Sequence, residues 1–275
     1  MRKIAREVIP PFILKTIKYL LRFQRTYISY EEALKNCSNQ MGYQDDELVK
    51  VLMEETKEYL ITLDKEPINL DDQTTVYTLI PFTFLSIHKT INVLDVGGGC
   101  GMHFYPLKKI FSNKFKFNWH VVETHALSQA AKVLENDELK FFDSISKAVK
   151  NLEGIDLIIS SGAIQYFGNP RQILREIVDV GAEYILLLRL SLSTSNRDII
   201  SVQRSLLSQN GYEILPHGYK NKIIDYPHTN MIENDFHQIL HTNYKTKICL
   251  DDKSGVQKTN NYPTIGYGLL LEKIH

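Results

Sequence analysis

The chain has 275 residues, with 32 lysines and arginines balanced by 32 aspartates and glutamates, so its formal net charge is zero. That balance excludes the broad basic field of a nucleic-acid-binding protein, and the length permits one domain with additions or two small ones. Three scattered cysteines, Cys37, Cys100 and Cys249, fit a reducing compartment and form no zinc-ligand spacing.

The first 23 residues are basic and apolar. Their apolar run falls far short of the ~20 residues a membrane span needs, and no small-residue cleavage site follows. Beyond Pro11, residues Ile13, Leu14, Ile17, Leu20 and Leu21 share one helix face with cations opposite. Two uses fit that face: packing on the core, or weak contact with an anionic membrane surface. Ser29 and Glu32 have capping-box spacing and start a short helix. A second helix begins near Asp45, with Leu48, Val51, Leu52, Tyr59 and Leu60 at helical spacing. Residues 76–87 form a third apolar segment, interrupted by Pro81. Residues 1–88 are therefore expected to be an N-terminal helical cap.

From residue 89 the pattern alternates strand and helix, the signal of a parallel sheet covered on both faces. Strands are expected over 91–96, 117–123, 139–142, 156–161 and 184–188. Helices are expected over 127–134, after Ser144, and between Asn169-Pro170 and Gly181, where an N-cap, an N1 proline and a C-terminal glycine frame an apolar stripe. Residues 191–231 break the rhythm; they are polar, carry Pro216 and Pro227, and read as a loop insertion forming a lid or binding loop. A helix near Glu233 and two strands, over 244–250 and 265–272, complete the chain.

The first of these strands runs into a glycine turn, Val93-Leu94-Asp95-Val96-Gly97-Gly98-Gly99-Cys100-Gly101. Glycine tolerates close approach and positive φ, and ligands of open α/β sheets sit at the carboxyl ends of the strands. The dinucleotide spacing G-x-G-x-x-G fails here, because Met102 or Phe104 stands where its last glycine belongs. What fits is acid-x-Gly-x-Gly-x-Gly on Asp95, Gly97, Gly99 and Gly101, with Gly98 between them. This resembles the first motif of class I S-adenosylmethionine-dependent methyltransferases. Glu123 follows at roughly the 20-residue offset at which an acid takes ribose hydroxyls.

Further stretches carry a narrower resemblance. They are residues 27–33 (Tyr-Ile-Ser-Tyr-Glu-Glu-Ala), 119–123 (Trp-His-Val-Val-Glu), 160–166 (Ser-Ser-Gly-Ala-Ile-Gln-Tyr) and Tyr226-Pro227. Together they resemble a bacterial methyltransferase family associated with surface-polysaccharide synthesis, over nearly the whole chain. Where that family tends to read Arg-Thr-Pro, this chain has Arg189-Leu190-Ser191, keeping only the arginine.

The resemblance implies a Rossmann-like class I methyltransferase fold. Its sheet has seven mostly parallel strands, helices on both faces and the last two strands as an antiparallel addition. It implies S-adenosyl-L-methionine as cofactor, no resident metal, a small-molecule or glycan-linked acceptor, and a cytoplasmic setting, at the inner membrane face if the N-terminal helix lies there. The expected cofactor set is Asp95, Gly97, Gly98, Gly99, Gly101, Glu123, Asp143 and Ser144 (near the adenine), and Ser160. Expected on the acceptor side are Gln165, Arg189 and Tyr226. His103, Tyr166 and His228 are the catalytic candidates, with His217 a further histidine in the late segment. Tyr27, Tyr30, Tyr105 and Tyr166 offer ring faces to a sulfonium. Two other readings remain: an inactive cofactor-binding scaffold of polysaccharide assembly, and an NAD-linked oxidoreductase, which the glycine spacing disfavours.

Overall fold

Short runs of β-branched and leucine residues build the centre of the molecule. The computed structural model describes residues 25–38, 44–68, 73–86, 90–111, 114–150, 152–211, 215–256 and 262–275. The amphipathic segment at 1–23 lies outside them. In chain order the strands begin with β1 (Thr26–Tyr27), β2 (Thr90–Val96), β3 (Lys116–Val122) and β4 (Leu139–Phe142). Next come β5 (Leu157–Ser161), β6 (Tyr184–Leu188), β7 (Leu192–Ser193) and β8 (Ile199–Leu206). The last are β9 (Ile223–Asn230), β10 (Tyr244–Leu250), β11 (Thr264–Ile265) and β12 (Gly268–Lys273). The helices are α1 (Tyr30–Lys35), α2 (Asp46–Lys65), α3 (Gln73–Leu79) and α4 (Phe104–Phe111). They continue with α5 (His125–Ala130), α6 (Ile145–Val149), α7 (Pro170–Val180) and α8 (Glu233–Leu240). Among the described residues no helix is long and apolar enough to cross a membrane.

Seven strands form the central sheet in the order β10-β12-β6-β5-β2-β3-β4. Strands β2 to β6 pair in parallel, and β12 runs antiparallel to both β6 and β10. Only β12 therefore opposes the others; the expected antiparallel pair is real as a pair, but β10 points with the core strands. This is a Rossmann-like sheet. From β2 the chain winds outward through β3 and β4, then returns to place β5 and β6 on the other side. The carboxyl ends of β2 and β5 thus flank a topological switch point, where such folds seat ligands.

Strand alternation divides the core into two layers. Ile91, Val93, Leu186 and Leu188 join one cluster with Phe104, Phe117 and Trp119. Leu94, Val96, Ile185 and Leu187 join the other with Ile173, Leu174 and Ile177 of α7. Helix α7 keeps its expected boundaries for local reasons. Asn169 accepts the Gln172 N–H at 3.1 Å, Pro170 needs no donor partner at the first position, and Gly181 closes the helix at φ 72°.

The expected loop at 191–231 is corrected by the structure. Strands β8 and β9 pair over eight residues each, and β1 adds to β8, giving the order β1-β8-β9. Pro227 misled the sequence reading, yet a proline is tolerated because β9 is an edge strand. Strand β1 and helix α1 of the N-terminal region and strands β8 and β9 therefore belong to one covering layer. Helix α2, capped by the Asp45 carboxylate on the Glu47 and Leu48 N–H groups, sits between that layer and the main core. Its Leu48 and Val51 pack with Leu207, Ile224 and Tyr226, while Val49 and Met53 join the main core cluster.

Candidate active site

The glycine turn sits at the carboxyl end of β2, and its glycines do different jobs. A Cβ on Gly97 (φ 76°) would lie 2.2 Å from the Ala163 Cβ, and one on Gly98 would lie 2.3 Å from Asp95 Oδ2. On Gly101 it would come within 3.1 Å of the Tyr105 ring and 3.3 Å of Leu139. At these three glycines the missing side chain makes room for protein. Gly99 (φ 59°) differs: its Cβ would meet only the Met102 side chain, at 3.3 Å. A thioether arm can swing aside; a backbone or a buried carboxylate cannot.

The two carboxylates also separate. Asp95 is fully buried, and accepts the Trp119 Nε1–H at 3.2 Å while both its oxygens lie 3.1 Å from His103 Nδ1. It sits beneath the turn and braces its neighbours. Glu123, just past β3, is half-buried; its Oε1 accepts the Gly99 N–H at 2.9 Å and its Oε2 the Thr124 N–H at 3.0 Å. Burial pushes its carboxyl above the ordinary range, opposed by those two N–H groups. Each oxygen keeps a lone pair for a further donor.

At the end of β4, Asp143 Oδ2 is shared between Lys147 Nζ at 2.9 Å and His125 Nδ1 at 3.2 Å, and these partners, Lys147 foremost, hold its carboxyl below the usual range. Ser144 occupies the N-cap position of α6, but its side chain makes no capping bond. Ser160 is 1% exposed and donates to the Val96 carbonyl at 3.0 Å. It stitches β5 to β2.

Beyond β5 a one-turn 3-10 helix, Ile164–Tyr166, carries the acceptor-side candidates. Gln165 donates through Nε2 to the Arg189 carbonyl at 3.1 Å. The Tyr166 hydroxyl donates to Gln203 Oε1 at 2.9 Å, its carbonyl accepts from Tyr30 Oη at 3.1 Å, and burial pushes its phenol well up. Around the Tyr166 ring stand Tyr226 and His228, edge-on, with centroids at 5.3 and 5.2 Å. Tyr226 Oη lies 3.0 Å from Ser205 Oγ. His228 is 1% exposed, neither ring nitrogen has a hydrogen-bond partner among the described residues, and burial pushes its pKa down to about 4.

The covering layer thus brings Tyr226 and His228 to Tyr166, across the carboxyl edge of the sheet. His217 stays out of this group, exposed in the β8–β9 connection. Of the remaining ring candidates, Tyr105 lies against Gly101 and Tyr27 packs within the covering layer, on Ala33, Cys37 and Val202. Helix α2 closes the turn from outside, with Met53 Sδ 3.6 Å from Cys100 Sγ; burial pushes the Cys100 thiol up to about 12. Sequence reasoning missed Met53, Gln203 and Asp252, since nothing in a local pattern marks a residue whose role is set by a distant partner. Among the described residues no cluster of three histidine, cysteine or acidic side chains could hold a metal ion.

The sheet defines a Rossmann-like fold, with the glycine turn at its switch point. No protein-family model matches the chain, and no curated protein matches it. Several solved structures are similar to it. An S-adenosylmethionine-dependent methyltransferase from Clostridium acetobutylicum ATCC 824 is 13% identical over 79% of this chain and 98% of its own, with a TM-score of 0.43. An amino pentose methyltransferase from Micromonospora echinaspora, solved with S-adenosylmethionine and involved in calicheamicin biosynthesis, is 12% identical over 80% of this chain and 97% of its own, TM-score 0.47. A sugar N-methyltransferase from a Streptoalloteichus species is 11% identical over 73% of this chain and 85% of its own, TM-score 0.45.

Proposed function

We propose that this protein is an S-adenosylmethionine-dependent methyltransferase acting on an oxygen of a small or glycan-linked acceptor in surface-polysaccharide synthesis. The observation that carries the reading is the pairing of Gly99 with Glu123: a turn open on one side only at a thioether arm, gripped by a half-buried carboxylate. The surface-polysaccharide setting rests on the resemblance of the sequence motifs.

When bound, the cofactor supplies a methyl group already activated on a sulfonium. The chain must then align the acceptor and exclude water. Glu123 fits the vicinal hydroxyls of a ribose, because its oxygens can accept beyond the Gly99 and Thr124 N–H groups. The α2 and β1-β8-β9 layer excludes water above the carboxyl edge. Tyr166 and His228 line the acceptor side, where burial keeps the His228 imidazole neutral at physiological pH.

The two histidines suit different work. His103 is oriented through Nδ1 by Asp95, which leaves Nε2 as its basic nitrogen, and a proton taken there forms an imidazolium beside a carboxylate. Among the described residues no carboxylate pairs with His228, and its depressed basicity suits positioning. His103 is therefore assigned the proton of the acceptor hydroxyl. The test is transfer of labelled methyl from S-adenosylmethionine to a panel of sugar nucleotides. His103→Gln should lower the rate by about a hundredfold or more and leave S-adenosylhomocysteine affinity unchanged. Full activity in His103→Gln would reject that assignment, and no transfer by the wild type to any glycan or small acceptor would count against the function.

A further inference from the structure

Arg189 stands immediately after β6, at the carboxyl edge of the sheet, with φ 53°. It is the one non-glycine residue with positive φ among those described. A side chain in the left-handed region is strained, and such outliers persist only where their surroundings enforce them. Here the enforcement is explicit. Asp252, 2% exposed, accepts the Arg189 N–H through Oδ2 at 2.7 Å, and Gln165 donates to the Arg189 carbonyl at 3.1 Å. Gly255 packs so closely that a Cβ there would lie 1.9 Å from that carbonyl oxygen.

The result is a fixed starting direction, along Cα–Cβ, for an exposed side chain. It lies over Gly162, where a Cβ would stand 3.4 Å from Arg189 Nε and 3.5 Å from Cζ. Its positive charge reaches the Tyr166 phenol. No carboxylate among the described residues forms an ion pair with it. The contrast is Arg171, whose fork is closed by both oxygens of Asp198 and by Asp235, at 2.6 to 3.0 Å. One arginine is spent on tying α7 to α8; the other is held by its main chain, with no ion pair to its head among the described residues.

We infer that Arg189 is the anion-binding residue of the acceptor site, taking a carboxylate or a phosphate of the acceptor on its guanidinium fork. Both groups present two oxygens at the spacing of the fork. The inference rests on the reading that an acceptor binds at this edge, and narrows it to an anionic acceptor. Acidic sugars and sugar phosphates both satisfy that chemistry.

The experiment is titration calorimetry of inorganic pyrophosphate, of glucuronate and of neutral glucose, into wild-type protein with and without saturating S-adenosylhomocysteine. The same titrations are made on Arg189→Gln and Arg189→Gly. Glycine removes the guanidinium and relieves the left-handed strain, so its melting temperature should hold or rise and misfolding cannot explain lost binding. The expected result is that an anion binds the wild type and glucose does not. Affinity for that anion falls about tenfold or more in both variants, while S-adenosylhomocysteine affinity is unchanged. A response to pyrophosphate assigns a phosphate acceptor, and one to glucuronate a carboxylate. Equal anion affinity in wild type and variants, or binding of neither anion, overturns the inference. Wild-type protein that binds an anion but not S-adenosylhomocysteine contradicts the proposed function and leaves the role of Arg189 standing.

Discussion

Glu123 Oε1 accepts the Gly99 N–H at 2.9 Å, so the carboxylate that ends one strand holds the turn that ends its neighbour. The bond joins the carboxyl ends of β3 and β2 at the glycine whose missing side chain faces only the Met102 thioether arm. The proposed ligand seat and the fold are thereby coupled at one contact, and substitutions on its two sides should report differently.

Gly97→Ala and Gly99→Ala form the sharpest pair. At Gly97 the new methyl meets the Ala163 Cβ at 2.2 Å, with no room to yield. Its cost should be about 2–4 kcal/mol of stability, strain and overpacking together. At Gly99 the methyl meets a movable side chain, so the cost should be about 1–2 kcal/mol of backbone strain, while S-adenosylhomocysteine affinity falls at least tenfold. Chemical denaturation and calorimetry on both variants separate the two effects. A Gly99→Ala protein with wild-type affinity would remove Gly99 from the seat.

Glu123→Gln has a pH-dependent signature. Burial raises the folded carboxyl above its unfolded value, so its contribution to stability is present at acid pH and is lost as pH rises through the raised pKa. The neutral amide cannot ionise. Relative to wild type, Glu123→Gln should therefore gain stability as pH rises above the ordinary carboxylate range of about 4, and should bind S-adenosylhomocysteine more weakly at neutral pH. Denaturation midpoints across that rise check the sign; a difference that does not change with pH would contradict it.

His228→Leu tests the buried imidazole. Its folded pKa of about 4 lies below the ordinary value of 6.5, so its contribution is complete above the unfolded pKa and is lost as pH falls toward 4. Wild type should lose about 2 kcal/mol between pH 8 and pH 5 from this group alone. His228→Leu should not, and should match or exceed wild-type stability at pH 5 because two unpartnered buried nitrogens are gone. Methyl transfer should fall in the same variant. A variant less stable than wild type at pH 5 would mean that His228 has bonding partners in solution.

Locally written features were legible in the sequence. Strand β6 declares itself as five consecutive apolar residues, 184–188, buried on both faces. Helix α7 declares itself through Asn169, Pro170 and Gly181. Strand β9 did not, because Asp225, Tyr226, Pro227, His228, Thr229 and Asn230 carry no apolar alternation, although all six are buried. Their cover comes from the leader, where Ser38 donates to Asp225 at 2.9 Å through its N–H and at 2.7 Å through its hydroxyl, across 187 positions of sequence. The glycine turn was legible as a close approach but not in what approaches. Ala163 and Tyr105 fill two of its gaps and the motif's own Asp95 a third, and no spacing rule could tell them from a ligand. Arg189 was visible as a charge after a strand; its left-handed main chain depends on Asp252, 63 residues away.

The central claim, an adenosyl ligand at Gly99 and Glu123, is tested most directly by titrating wild-type protein with S-adenosylhomocysteine and, in parallel, with NAD. The account predicts saturable binding of S-adenosylhomocysteine at a single site, lost in Gly99→Ala, and no heat with NAD. A folded wild-type chain that ignores S-adenosylhomocysteine, or that takes NAD in its place, would contradict it.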